Sequence, residues 1–228
     1  MSNPSGPISE SCFGLEGNPR RVTHGAAWYY TDLYKPSLET QSNYLWVGQM
    51  TPYKRADLAV DAFNALGLPL LMVGDGPMAA AVRRKAKSNI SFVERMSFEE
   101  LRRAYSRCRA LIFTAEEDFG IIPVEAMAAG RPVLAYGSGG VLDSLLPEVT
   151  GLFFDSQTVE SVIEGVQRLE RWLPEFNPAD AVRHARRFSP ERFDEGVRAT
   201  IEELMGAQAG VRGAHRRVLE EETPLATT

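Results

Sequence analysis

The stretch Glu117-Asp118-Phe119-Gly120-Ile121-Ile122-Pro123-Val124-Glu125 decides how this chain is read. It is entered from the apolar run Ala110-Leu111-Ile112-Phe113-Thr114 and leads into Ala126-Met127-Ala128-Ala129-Gly130-Arg131-Pro132. The run is short and apolar, which predicts a buried strand. Pro123 suits the first turn of a helix, where its missing N–H costs nothing, so a helix is predicted over Pro123–Ala129. A helix N-terminus opening onto a loop presents free N–H groups and the positive end of the dipole, a setting for phosphate. The stretch also carries two glutamates, Glu117 and Glu125, eight positions apart. Carboxylates repel phosphate, so their natural partners are neutral hydroxyls, such as those of a sugar or a ribose. Phosphate and polyol side by side describe a nucleotide sugar. Glu125 alone also reads as an acid near a helix N-terminus, worth about 0.3–1 kcal/mol. That reading leaves Glu116, Glu117 and Asp118, crowded beside it, unexplained.

Outward from this stretch, strands and helices alternate. Strands are predicted at Tyr44–Val47, Pro69–Val73, Ile90–Val93, Ala110–Thr114, Pro132–Ala135 and Leu152–Phe154. Helices are predicted at Asp57–Leu66 and Met78–Lys87, and from the Ser97/Glu100 capping box to about Arg107. Three more, Val159–Arg171, Ala179–Phe188 and Pro190–Met205, close the domain. The alternation places the chain in the α/β class, as a Rossmann-like three-layer α/β/α domain with a parallel sheet. Ligands of such sheets bind outside the carboxyl ends of the strands, in the turns after Val47, Val73, Val93, Thr114 and Ala135. Residues 1–41, rich in Ser, Gly, Pro and Asn, read as an irregular arm, residues 42–205 as the domain, and 206–228 as a frayed tail.

The turns carry the chemistry. In Gly48-Gln49-Met50-Thr51-Pro52-Tyr53-Lys54-Arg55, Gly48 permits a tight turn and Lys54 can set a point charge on a phosphate. Lys54-Arg55 also reads as a solvated helix start. Gly74-Asp75-Gly76-Pro77-Met78-Ala79 spells G-x-G-x-x-A between strand and helix, with Glu94 twenty residues after Gly74. This is the form of a dinucleotide fingerprint and makes an NAD-dependent dehydrogenase the competing reading. Against it, the motif lies in the second βα unit, and Pro77 removes an N–H that would face the pyrophosphate. The small residues Gly137-Ser138-Gly139-Gly140 would let a ligand approach the backbone closely. His24, His184 and His215 fall on the arm, a charged helix and the tail; with no Asp-x-Asp or His/Cys cluster, no metal or other cofactor is expected.

Glu117-x7-Glu125 with Phe119-Gly120 inside it resembles the signature of retaining glycosyltransferases of the GT-B fold, of the group 1 / family 4 type. The resemblance runs from about Tyr44 to Met205 and covers the donor-binding, C-terminal half of such enzymes, or one half of a GT-B fold. It implies transfer of a hexose from a nucleoside-diphosphate sugar to a saccharide or lipid-linked acceptor. GDP-mannose, as in bacterial polysaccharide biosynthesis, comes first and UDP-sugars next. It implies that Glu117 contacts the sugar hydroxyls, that the Phe119-Gly120-Ile121 backbone follows sugar and diphosphate, and that Glu125 holds the ribose diol. It further implies that Lys54 neutralises the leaving diphosphate and that the turn holding Arg95 and Met96 packs against the base. The family usually has an Arg directly after the first Gly; here Gln49 stands there and offers only a neutral, weaker hydrogen bond. Full-length relatives carry an acceptor-binding domain where this chain shows a short arm. A nucleotide-sugar-binding module, truncated or split and meeting a partner chain or another copy through that face, is therefore the alternative.

Composition bounds these readings. Of 228 residues, 44% are hydrophobic and 24% charged, as in ordinary globular proteins, and the net charge of −5 argues against nonspecific nucleic-acid binding. The first residues lack a signal peptide's basic and apolar regions, and no apolar stretch approaches the roughly 18–20 residues that span a bilayer. Cys12 and Cys108 read as free thiols, and the expected location is cytoplasmic, with peripheral contact at the inner face of a membrane compatible with it.

Overall fold

Alternation along each strand sends side chains to two opposite faces, and both faces here are apolar, so each needs its own cover. The computed structural model, which describes residues 31–205 apart from Leu38 and Leu204, shows how that cover is supplied. Strands β1 (Tyr44–Val47), β2 (Leu70–Val73), β3 (Ile90–Val93), β4 (Leu111–Phe113), β5 (Val133–Tyr136) and β6 (Gly151–Phe154) form one sheet in the order β3-β2-β1-β4-β5-β6. Every pairing is parallel. Tyr44 and Trp46 of β1 join one core with Leu70, Met72, Ile112 and Leu134, under α1 (Ala56–Leu66), α2 (Ala79–Lys85) and α6 (Val159–Trp172). Leu45 joins the opposite core with Leu111, Phe113, Val133 and Ala135, under α3 (Phe98–Arg107), α4 (Ile121–Ala128) and α7 (Pro178–Ala185). A four-residue helix α5 (Val141–Ser144) follows β5, and residues 190–203 continue as helix α8. The expected three-layer α/β/α domain is the one the chain adopts.

Local signals worked where they had a mechanism. Ser97 and Glu100 form the predicted capping box at the start of α3. The helix after β4 begins at Ile121, two residues before the expected Pro123, because Gly120 turns the chain in the left-handed region (φ 81°) and takes the N-cap position. Pro123 then sits third in the helix, still among the positions whose N–H has no partner within it. The short α5 was not anticipated.

Residues 1–30 of the expected arm, Cys12, His24, His215 and the 206–228 tail lie outside the described residues. What is described of the arm is well anchored. Tyr34 is buried in the α3/α4/α7 core, and Arg131 ties down Ser37, Glu39 and Thr40 by donating to the Ser37 and Glu39 carbonyls and the Thr40 hydroxyl, as well as to the Ser106 carbonyl. Arg131 is itself buried, and desolvation lowers its pKa. Cys108 is a buried free thiol whose pKa burial pushes up to about 12. No helix among the described residues is long and apolar enough to cross a membrane.

His184, on α7, is buried with Nε2 2.9 Å from the Ser144 carbonyl and its ring against Phe188. Burial, with a smaller push from Arg187, lowers its pKa below the ordinary 6.5, although the bond to Ser144 opposes this in part. The fold therefore favours the neutral ring. This contribution is complete above the unfolded pKa and is lost as pH falls through the folded one. Thermal melts between about pH 7.5 and 5.5 should show wild-type stability dropping with acidification, and His184→Gln should flatten that drop. Parallel slopes for the two proteins would remove His184 from the account.

Candidate active site

The strand order reverses between β1 and β4, so the turns after these two strands flank the crevice where open α/β sheets bind their ligands. Lys54 comes from the first turn and Glu117 from the second. They meet there: Lys54 Nζ lies 2.9 Å from Glu117 Oε1, with both side chains mostly buried. Apart from this ammonium, Glu117 Oε1 is a buried acceptor with no hydrogen-bond donor in place. The Lys54 chain runs over Gly48, where a Cβ would stand 3.3 Å from Lys54 Cδ, and its ammonium lies 5.7 Å from the centre of the Tyr53 ring. Arg55 does not reach the crevice. It holds φ 51° at the N-cap of α1 and pairs with Asp57 at 3.3 Å. The positive charge beside Glu117 is thus Lys54's alone among these neighbours, and Gln49 is exposed at the turn.

The α4 N-terminus opens onto the same crevice, with Gly120 buried at its cap and Ile121 exposed. Phe119 turns its ring inward, packing edge-on to Phe188 at 5.6 Å, so it is backbone and not side chain that this loop offers a ligand. Glu125 is the fifth residue of α4, in its second turn and not its first, which weakens its reading as a dipole partner. It is 7% exposed. Its Oε1 accepts from the Tyr34 hydroxyl at 2.8 Å and its Oε2 from Tyr105 at 2.5 Å. Glu116 is exposed and accepts from the Ser138 hydroxyl at 2.9 Å. On the β3–α3 turn Arg95 is exposed, while Met96 packs against the core beneath.

Two of the glycine-rich turns are packed directly against a neighbouring turn. A Cβ on Gly74 would lie 1.9 Å from the Gly48 carbonyl oxygen, so that glycine lets the second turn press on the first. Met50 N–H to the Asp75 carbonyl and Met78 N–H to the Met50 carbonyl complete the join. The G-x-G-x-x-A pattern serves packing, and it follows β2, away from the reversal point where a dinucleotide fingerprint would act. Likewise a Cβ on Gly140 would lie 1.9 Å from the Asp118 carbonyl oxygen. Gly140 donates to the Glu117 carbonyl at 2.7 Å, so this glycine seats the Glu116–Phe119 loop against the turn after β5.

Sequence reading missed Thr114, the buried residue after β4. Its Oγ1 accepts from Trp46 Nε1 at 3.1 Å and donates to the Lys54 carbonyl at 2.7 Å. Its own carbonyl accepts from Gln157 Nε2 at 2.8 Å. One hydroxyl therefore fastens the Lys54 turn to the strand that delivers Glu117. The available signal was a threonine ending an apolar strand, which says nothing of a partner sixty positions away. Thr114→Val keeps the shape and strands the Trp46 N–H and the Lys54 carbonyl. We expect a loss of about 1–3 kcal/mol in denaturant unfolding. A neutral substitution would show that water replaces the hydroxyl.

The family model for glycosyl transferases group 1 matches residues 35–173. An uncharacterized glycosyltransferase of Methanocaldococcus jannaschii is 28% identical over 189 residues, covering 77% of this chain and 53% of that protein. The O-antigen chain mannosyltransferase C of Escherichia coli is 28% identical over 134 residues, 55% of this chain and 36% of its own length. The solved sucrose-phosphate synthase of Thermosynechococcus elongatus superposes with a TM-score of 0.66 at 23% identity, covering 79% of this chain and 52% of that one. Anabaena HepE, solved with UDP and glucose, gives 0.63 at 18% identity, covering 77% and 55%. Both share the chain's fold, that of one half of a GT-B enzyme. The chain spans about half the length of these relatives or less. It belongs to the group 1 glycosyltransferases.

Proposed function

We propose that the chain binds the donor of a retaining hexosyl transfer, taking a nucleoside-diphosphate sugar in the crevice between β1 and β4. The observation that carries this is the Lys54–Glu117 pair at the reversal point of the sheet, a cation and a carboxylate held 2.9 Å apart. Lys54 and the α4 N-terminus would face the diphosphate, and Glu117 would accept from a sugar hydroxyl. Glu125 would hold the ribose, with Gly48 and Gln49 bordering the phosphates and Arg95 and Met96 the base. In the transfer, the bond from the sugar's anomeric carbon to the diphosphate breaks. An acceptor hydroxyl bonds to the same face, and its proton passes to the departing phosphate oxygen. The chain's part is to stabilise negative charge on the leaving group with groups already in place. Since Lys54 and the helix supply that charge, the proposal is a metal-independent transfer.

Mannose, carried by GDP, is the first choice. The Escherichia coli relative and a human relative, alpha-1,3/1,6-mannosyltransferase ALG2 (30% identical over 119 residues), support it. UDP-sugars come second, supported by the HepE structure with UDP-glucose. Tyr53, Ile121 and Leu142 are 56%, 41% and 54% exposed around the crevice mouth. Exposed apolar side chains here favour an acceptor-binding unit, in a partner chain or another copy, closing over the donor. A binding module without turnover of its own is the second reading, and activity with donor alone or only with such a partner separates the two.

A thermal-shift panel of GDP, UDP, ADP and NAD, with calorimetry on any that stabilise, tests the site. A selective shift with GDP or UDP is expected; ligand at about 100 times its Kd adds roughly 2.7 kcal/mol. A shift with NAD alone would overturn the proposal. Lys54→Ala should weaken GDP far more than guanosine, and equal losses would remove its phosphate role. Glu125→Ala should cost about 1–3 kcal/mol of nucleotide affinity, and unchanged affinity would move the ribose contact elsewhere.

A further inference from the structure

We infer that Tyr34 and Tyr105 are positioning residues for Glu125: their hydroxyls fix the carboxylate in the orientation from which it accepts the ribose diol. This rests on the donor-site reading above. A glutamate side chain has three torsions, and left loose in a groove it would offer a diol many poses. Here each oxygen is held by a different tyrosine, Oε1 by Tyr34 and Oε2 by Tyr105, so the carboxylate plane is fixed at two points. A carboxylate can accept about four hydrogen bonds, so two phenols do not exhaust it. Hydroxyl donors also satisfy acceptor atoms that a 7%-exposed acid could not leave unpaired without cost.

The tyrosines are themselves fixed. Tyr105 is fully buried on α3 and packs edge-on to Tyr34, with ring centres 5.9 Å apart. Tyr34 also meets Phe98, at the start of α3, edge-on at 6.1 Å. It comes from the segment ahead of β1, whose continuation is clamped by Arg131 and whose Pro36 abuts Gly130 just beyond α4. The backing of the ribose acceptor thus comes from 91 positions upstream, and the seating of that segment sets how sharply the site reads a ribose. Fixed acceptors gain affinity by avoiding reorganisation on binding.

The test compares GDP and UDP with their 2′,3′-dideoxy analogues, by calorimetry, on wild type, Tyr34→Phe, Tyr105→Phe and Glu125→Gln. Both phenylalanine variants keep the rings and their packing. We expect wild type to prefer the ribonucleotide, and each phenylalanine variant to lose about three- to tenfold of that preference while its affinity for the dideoxy analogue holds. If Glu125→Gln loses the preference and the phenylalanine variants keep it, with only a lowered melting temperature, the tyrosines are structural and the inference falls while the donor-site reading stands. If wild type shows no preference, or binds neither nucleotide, the ribose role of Glu125 fails and takes this inference with it.

Discussion

Everything at the carboxyl end of this sheet hangs on how the β1 turn is held against the β4 strand. Thr114 is the fastener. A lysine and a glutamate from turns so far apart in sequence are not brought together by Coulomb attraction alone, since a partly buried pair loses much of that attraction to desolvation. The backbone must bring them together, and buried hydrogen bonds do so at low entropy cost once the strands are aligned. The ion pair then registers that alignment; it does not cause it.

A second layer of constraint comes from direct backbone contact. The β2 turn presses on the β1 turn at Gly74, and the β5 turn presses on the β4 loop at Gly140, each too closely for a side chain. Four of the turns around the crevice therefore form two interlocked pairs, with the Lys54–Glu117 bridge and Thr114 joining one pair to the other. Rigid presentation of this kind suits a site that works by charge placed in advance. A substrate with a diphosphate gains little if the cation has to be recruited at the moment of binding.

The layer architecture was legible in the sequence because each βα unit repeats a signal with a mechanism: a short apolar strand, then a periodic helix, with a capping box at Ser97. The locations of Glu117, Lys54 and Gly120 were legible for the same reason, since strand ends in such sheets predict where turns converge. What the sequence could not show is pairing across distance. Tyr34 on Glu125, Thr114 on Lys54 and Gly74 on Gly48 join residues from different units, and no local periodicity marks them. The glycines were ambiguous for a related reason: a residue lacking Cβ signals a close approach without saying by what. Pro123 misplaced the helix start because proline is tolerated at several first-turn positions, while Gly120 carried the real boundary.

The interlocked turns also set how the specificity proposed for this crevice could change. A loop pressed backbone to backbone against its neighbour has no slack, so an inserted residue in either one displaces both. New specificity cannot come from remodelled loops here, as it does where loops extend freely from a scaffold. It has to come from exchanging side chains at positions that point outward from a fixed frame, such as Gln49, Arg95 and Ile121. Laboratory evolution of this chain would accordingly do better to randomise those positions at constant loop length than to graft loops from relatives.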